Sequence, residues 1–426
     1  LALPSILTTW RADPALAPHI LRISVSEPPS SCPHTVLPLS QASLFIHPYH
    51  AHEHEGDSDL GDDSTTADDN GMLAARVCEL PSAEWDGLWD GLIYADNIKL
   101  RLLDYIHATL LLSDLRVDPH LVSANRLVLL HGPPGTGKTS LARALAHKLA
   151  IRLGARYAQA RMLEVNAHSL FSRWFSESGK LVHRLFASIR EIADQGALDG
   201  GGDGDGEVFV CVLIDEVESL TAARAGALAG TEPSDGLRVV NALLTQLDTL
   251  KTRRNVLVLA TSNLVGAIDP AFIDRADLIQ YVDLPPREAI YEILRGALGE
   301  LVRRGCVRSI PSLAEALYYE NARRFVVGGG QAGVESGEGT SKEALALGLL
   351  GLADRCRAQS LSGRALRRLP VLALARYISA GVRTGRRRDA GGTAGASPSY
   401  QTSVAEWLDA MGVVVAARGS EHARLG

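Results

Sequence analysis

"RLVLLHGPPGTGKTSLARALAHKLAIRL" spans Arg126–Leu153 and holds three different patterns in one run. Leu127–Leu130 is unbroken apolar chain, the mark of a strand buried on both faces. From Ser140 onward Leu141, Leu145, Leu149 and Leu153 recur every four residues, which predicts an amphipathic helix. Between them "GPPGTGKT" (Gly132–Thr139) matches G-x-x-x-x-G-K-[ST], in the strand–loop–helix setting the motif requires. Gly135 and Gly137 let backbone N–H groups turn toward an anion, and the helix N-terminus adds the positive end of its dipole. The stretch therefore predicts a phosphate cradle made by Gly132, Pro133, Pro134, Gly135, Thr136, Gly137, Lys138, Thr139 and Ser140. Lys138 is expected on the β- and γ-phosphates of ATP, and Thr139 on Mg²⁺ through its hydroxyl.

Working outward, further near-continuous apolar runs follow: "RMLEVNA" from Arg161, "VFVCVLID" from Val208, "NVLVLATSN" from Asn255 and "LIQYVDL" from Leu278. With helical patterns between them, they predict a parallel sheet covered by helices, a doubly wound α/β domain. After Arg287 the pattern turns helical, so a separate all-α domain is expected. The organisation read from the chain is an N-terminal domain over 1–80, an α/β domain over 81–286 and a helical lid over 287–426.

Two of these strands end in chemistry. "VCVLIDEVESL" delivers Asp215 and Glu216 at the C-terminal end of a strand, where open α/β sheets place their ligands. Asp215 is the expected Mg²⁺-side carboxylate, and Glu216 the general base that polarises an attacking water. Asn263, ending "LATSN", either aligns that water or simply forms a turn.

The remainder of the chain narrows the class. Hydrophobic residues make up 46% and charged residues 22%, ordinary for a globular protein. A net charge of -6 speaks against a dedicated nucleic-acid binder. The five cysteines are scattered and never form C-x-x-C, which excludes the common zinc spacings and fits reduced thiols. No apolar run approaches 18 residues, so a membrane span is not expected. The sequence opens at Leu1 rather than Met, which leaves the true N-terminus open. An acidic run (Ala51–Gly71) and Gly-rich stretches (Asp194–Gly206, Gly328–Ser341, Gly385–Pro398) read as solvated insertions. His47, His50, His52 and His54 lack the scaffold a metal site needs.

One segment resists this scheme. "SLFSRWFSESGKL" (Ser169–Leu181) sets Trp174 beside Phe175 among small polar residues, with no apolar face around them. The pair is either core or a tool presented to something else.

Together "GPPGTGKT", "LIDEVESL" and "ATSN" resemble the AAA+ ATPases, P-loop enzymes with an α/β core, a C-terminal helical lid and a small α+β N-terminal domain. The blocks "SLFSRWFSESGKLV", "DEVESLTAARAGALAGTEPSDGLRVVNALLTQLD", "DPAFIDRADLIQY" and "LSGRALRRLP" are similar to the pachytene checkpoint protein 2 family over roughly Pro81 to Pro370. That resemblance implies a homo-hexameric ring with ATP between subunits. It places Arg275 in "AFIDRAD" at the arginine-finger position, against the alternative of an ion pair with Asp274 or Asp277. It places Arg364 in "SLSGRALRRLP" at the sensor-2 position of the lid, with Ser360 where the family usually has Gly. Trp174 and Phe175 fall where such rings carry an aromatic pore loop that grips polypeptide, and Ala222–Gly236 is a second pore-loop candidate.

The function this implies is ATP-driven partial unfolding of HORMA-domain proteins, through a HORMA-like adaptor, in the nucleus during meiotic chromosome or spindle-checkpoint control. No membrane and no sequence-specific nucleic acid are expected as partners. A nucleic-acid-directed machine of the clamp-loader or initiator type is the alternative, and a non-hydrolysing scaffold a third.

Overall fold

The computed structural model of the chain describes residues 5–7, 9–25, 45–53, 75–94, 96–115, 117–118, 121–167, 178–195, 208–219, 235–264, 268–308, 339–383 and 402–425. In chain order the strands are β1 (Ser5–Leu7), β2 (Ile23–Val25), β3 (Ala75–Leu80), β4 (Leu127–His131), β5 (Gln159–Asn166), β6 (Val208–Asp215), β7 (Val256–Ser262) and β8 (Leu278–Tyr281). The helices up to the sheet's last strand are α1 (Leu88–Gly91), α2 (Ile98–Asp114), α3 (Lys138–Arg152), α4 (Ser178–Asp194), α5 (Asp235–Leu250) and α6 (Pro270–Ile273). Beyond it follow α7 (Arg287–Arg303), α8 (Gly339–Ala358), α9 (Gly363–Arg383) and α10 (Val404–Leu425).

β1 and β2 form a small antiparallel pair. The main sheet has six strands in the order β3-β5-β6-β7-β4-β8. Its five inner and later strands run parallel, as their unbroken apolar sequences require. β6 shows why: Val208, Val210, Val212 and Ile214 pack into one hydrophobic cluster and Phe209, Cys211 and Leu213 into the other. The first cluster takes α4 and α5, the second α2 and α3. The α/β core with helices on both faces and a helical lid is the architecture the sequence led us to expect.

Two details depart from the reading of the sequence. β3 lies in the main sheet, antiparallel to β5 from Ala75↔Val165 to Leu80↔Ala160, although it precedes residue 81, where the α/β domain was expected to start. It is a short edge strand with a weak apolar pattern, "ARVCEL", following an acidic run, so its sequence carries little periodicity. α3 is not amphipathic: Leu141, Ala142, Ala144, Leu145, Ala146, His147, Leu149 and Ala150 are all buried, leaving little of its circumference to solvent.

The lid has its own core, in which Tyr291 of α7, Leu349 of α8, Leu366 of α9 and Trp407 of α10 are fully buried. Among the described residues no helix is long and apolar enough to cross a membrane. The segment 45–53 docks on the α/β domain beside α3. His52 N–H donates to Pro81 O at 2.8 Å, Ala83 N–H donates to His52 O at 3.0 Å, and Tyr49 Oη donates to Asp86.

Candidate active site

β4 reaches the site as a buried strand and turns at Gly132, whose φ of 146° and surroundings admit no side chain. An added Cβ there would lie 2.2 Å from the carbonyl oxygen of Val282, just past β8. Gly135, at φ 79°, is constrained from the other side: an added Cβ would stand 2.7 Å from Ser362 Oγ of the lid. The loop's shape and the lid's seat thus depend on the same residue.

α3 then begins at Lys138 with no side chain capping its first turn, so that turn's N–H groups face the loop and suit an anion. Lys138 is buried at 5% exposure, and its Nζ donates to Gly132 O at 2.9 Å and Pro133 O at 2.8 Å. Burial lowers its pKa, Glu218 and Asp215 oppose the fall, and Arg364 adds to it. An ammonium held by its own loop's carbonyls, among carboxylates and another cation, fits a phosphate chain. Thr136 Oγ1 closes the loop onto Pro133 O at 3.0 Å.

The two expected Mg²⁺ residues touch. Thr139 Oγ1 donates to Asp215 Oδ1 at 3.0 Å, and Thr261 Oγ1 donates to the same oxygen. Thr261 Oγ1 also accepts the N–H of Glu216 at 3.3 Å, so one hydroxyl fixes both acids at the end of β6. Glu216 is exposed and held at φ 60°, a left-handed conformation costly for a residue with a side chain. The residue's exposure leaves it open to water.

Asn263 is anchored rather than merely turning the chain: its N–H and its Nδ2 both donate to Glu218 Oε1, each at 3.1 Å. Glu218 Oε2 is buried and has no hydrogen-bond partner among the described residues. Glu218 and Thr261 were missed in the sequence. Their only signals are a third acid three residues past Asp215 and a threonine two residues ahead of Asn263.

Arg364 opens α9, and its N–H donates to Gly135 O at 3.1 Å, which places the lid arginine beside the phosphate loop. Arg275 sits elsewhere. Asn125 Nδ2 donates to its carbonyl at 3.0 Å, so it lies beside the start of β4 while the phosphate loop lies beyond that strand's end. A five-residue strand spans about 16 Å. Its guanidinium pairs with neither Asp274 nor Asp277 but with Asp248 of α5, through bonds of 3.1 and 2.9 Å, and with Ala271 O at 2.7 Å. Asp277 is taken by Tyr105 Oη and the N–H of Arg126, each at 2.7 Å. Trp174, Phe175 and residues 222–234 lie outside the described residues, as does most of the acidic run and of the Gly-rich stretches.

The ATPase family associated with various cellular activities (AAA) matches residues 128–284. The TRIP13-like AAA+ ATPase lid C-terminal domain matches 286–386, and the TRIP13 N-terminal domain matches 1–54. The chain is 46% identical over 346 residues to the pachytene checkpoint protein 2 homolog of Gallus gallus, covering 80% of this chain and 72% of that protein. It is 45% identical over 369 residues to the homolog of Oryza sativa subsp. indica, covering 85% and 72%. The solved structure of C. elegans PCH-2 superposes with a TM-score of 0.61 at 35% identity, covering 83% of this chain and 78% of that one. With a complete phosphate loop, paired acids and a seated lid, the chain binds and hydrolyses ATP, and it belongs to the pachytene checkpoint protein 2 (TRIP13) family of AAA+ ATPases.

Proposed function

We propose that the chain is an ATP-driven protein remodeller that works as a homo-hexamer and partly unfolds HORMA-domain proteins drawn into its central pore. The observation that carries the motor half is the convergence of Lys138, Thr139, Asp215, Glu216, Asn263 and the lid's Arg364 on one loop. Thr139 and Asp215 would hold Mg²⁺, which offsets phosphate charge when bound. Lys138 binds the terminal phosphates, and Asn263, steadied by Glu218, orients the water from which Glu216 takes a proton. Arg364 lets the lid respond to the phosphates.

Arg275 supports the ring. It stands a strand's length from its own loop, so its cation would complete a neighbouring subunit's site. The HORMA-domain substrate, a HORMA-like adaptor, meiotic and checkpoint roles and a nuclear setting rest on family membership. Trp174 and Phe175, downstream of β5, would grip the substrate chain.

The test is the ATPase rate of the full chain with and without a HORMA-domain protein plus adaptor, with Trp174→Ala alongside. Stimulation that vanishes in the variant is expected. Turnover that ignores the substrate would remove the remodelling reading, and salt-sensitive DNA binding would favour the nucleic-acid machine.

A further inference from the structure

Two arginines of α9 face the nucleotide site. Arg364 and Arg367 stand three residues apart, and so share one face of the helix. At Arg364 the backbone N–H donates to Gly135 O of the phosphate loop, and on the side-chain face Arg364 Cβ lies 3.3 Å from where a Cβ on Gly135 would sit. Arg367 reaches a different wall: its Nη2 donates to the carbonyl of Gly91 at 2.8 Å, joining residues 276 apart in sequence.

Gly91 ends α1 and starts a short segment that returns to the phosphate loop. Tyr94 Oη donates to Gly137 O at 3.4 Å, and Leu92 Cδ2 lies 3.5 Å from where a Cβ on Gly137 would sit. Leu92 is buried, so the segment is a packed wall rather than a loose strap. Arg367 is close enough to Tyr94 that its charge counters the rise burial imposes on the phenol. One lid helix therefore holds the site at two backbone carbonyls, Gly135 and Gly91.

We propose that Arg367 is a positioning residue that latches the 91–94 wall against the phosphate loop, so that breaking its bond to Gly91 as the lid lifts sets the rate of nucleotide release. The inference deepens, and rests on, the assignment of Gly132–Ser140 as the nucleotide loop. A bond from a charged donor at a partly exposed boundary contributes modestly, which sets the expected change at roughly fivefold.

The experiment follows dissociation of a fluorescent ADP analogue from the full-length protein, chased with unlabelled ADP. Arg367→Ala should release it about fivefold faster with an unchanged association rate. Arg367→Lys, which keeps a charged donor on the stem, should recover most of the slow release. Arg367→Gln, the milder substitution should alanine unfold the lid, should fall between them, and Arg368→Ala should match wild type. Release at the wild-type rate in Arg367→Ala, or no recovery with lysine, overturns the latch alone. Failure of the wild-type chain to bind the analogue overturns the loop assignment with it.

Discussion

Asp248 of α5 grips Arg275 with two parallel hydrogen bonds, so the cation proposed to serve a neighbouring subunit is aimed by a carboxylate of its own. The guanidinium carries five N–H groups, and the bonds to Asp248 and Ala271 engage one on each nitrogen. Among the described residues nothing takes the other two N–H groups, which suits them to a phosphate. Arg275→Ala should leave nucleotide binding intact and lower kcat by about 10³ or more, the contribution of a trans arginine. Asp248→Asn, which keeps one acceptor, should cost kcat roughly tenfold with little change in KM. Steady-state kinetics on both variants checks the pair; full activity in Arg275→Ala would assign the finger elsewhere.

Glu216→Gln should bind ATP with near-normal affinity and lose kcat by about 10²–10⁴, the usual contribution of a positioned base. Glu218→Ala should be milder, roughly tenfold in kcat, because Asn263 loses its anchor but not its place at the end of β7. Equal losses in the two variants would mean that Glu218 takes part in the chemistry directly.

Ser360 occupies φ 51°, where the family resemblance expects Gly. A left-handed Ser costs about 1–2 kcal/mol, and Gly returns roughly 0.5–1 kcal/mol of that through its freer unfolded chain. Ser360→Gly should therefore stabilise the lid by about 0.5–1 kcal/mol, visible as a rise in thermal midpoint of roughly 1–2 °C. A lower midpoint would show that the serine hydroxyl contributes something its conformation conceals.

His147, buried on α3, accepts the N–H of Ser82 at 3.2 Å through Nδ1 and meets the ring of Tyr49 edge-on at 6.2 Å. Burial lowers its pKa to about 4, with Asp86 opposing and Lys148 assisting. The unfolded chain takes up this proton near pH 6.5 and the folded chain only near 4, so stability is full above 6.5 and falls with pH below it. Across those 2.5 units, at about 1.4 kcal/mol each, the loss approaches roughly 3 kcal/mol. Urea unfolding at pH 7 and pH 5 should show about 2 kcal/mol of this. His147→Gln, which retains an acceptor, should flatten the dependence.

The motor was legible because its parts are short and local. An apolar strand, a glycine-rich turn and a lysine stand within one run at Leu127–Lys138, and Asp215 and Glu216 close a run of the same kind. What stayed hidden depends on contacts between distant segments. Thr261 and Glu218 are ordinary residues until β6 and β7 pair and bring them together. The acids nearest Arg275 in sequence are Asp274 and Asp277, whereas the fold supplies Asp248 from a helix 27 residues earlier. β3 is silent in the sequence because six residues with a weak pattern gain their meaning only from Val165 and its neighbours across the sheet edge.

That edge pairing also sets a route. Ala75 is the first residue of β3, where the chain arrives from the N-terminal region, and its partner Val165 stands one residue before the end of β5. Beyond β5 the sequence runs on to Trp174 and Phe175. Arrival and departure are thus a single backbone pairing apart. On the proposed function, a pull on the segment that follows β5 would reach β3 through this pairing, and with it Pro81 and Ala83, where His52 is bound.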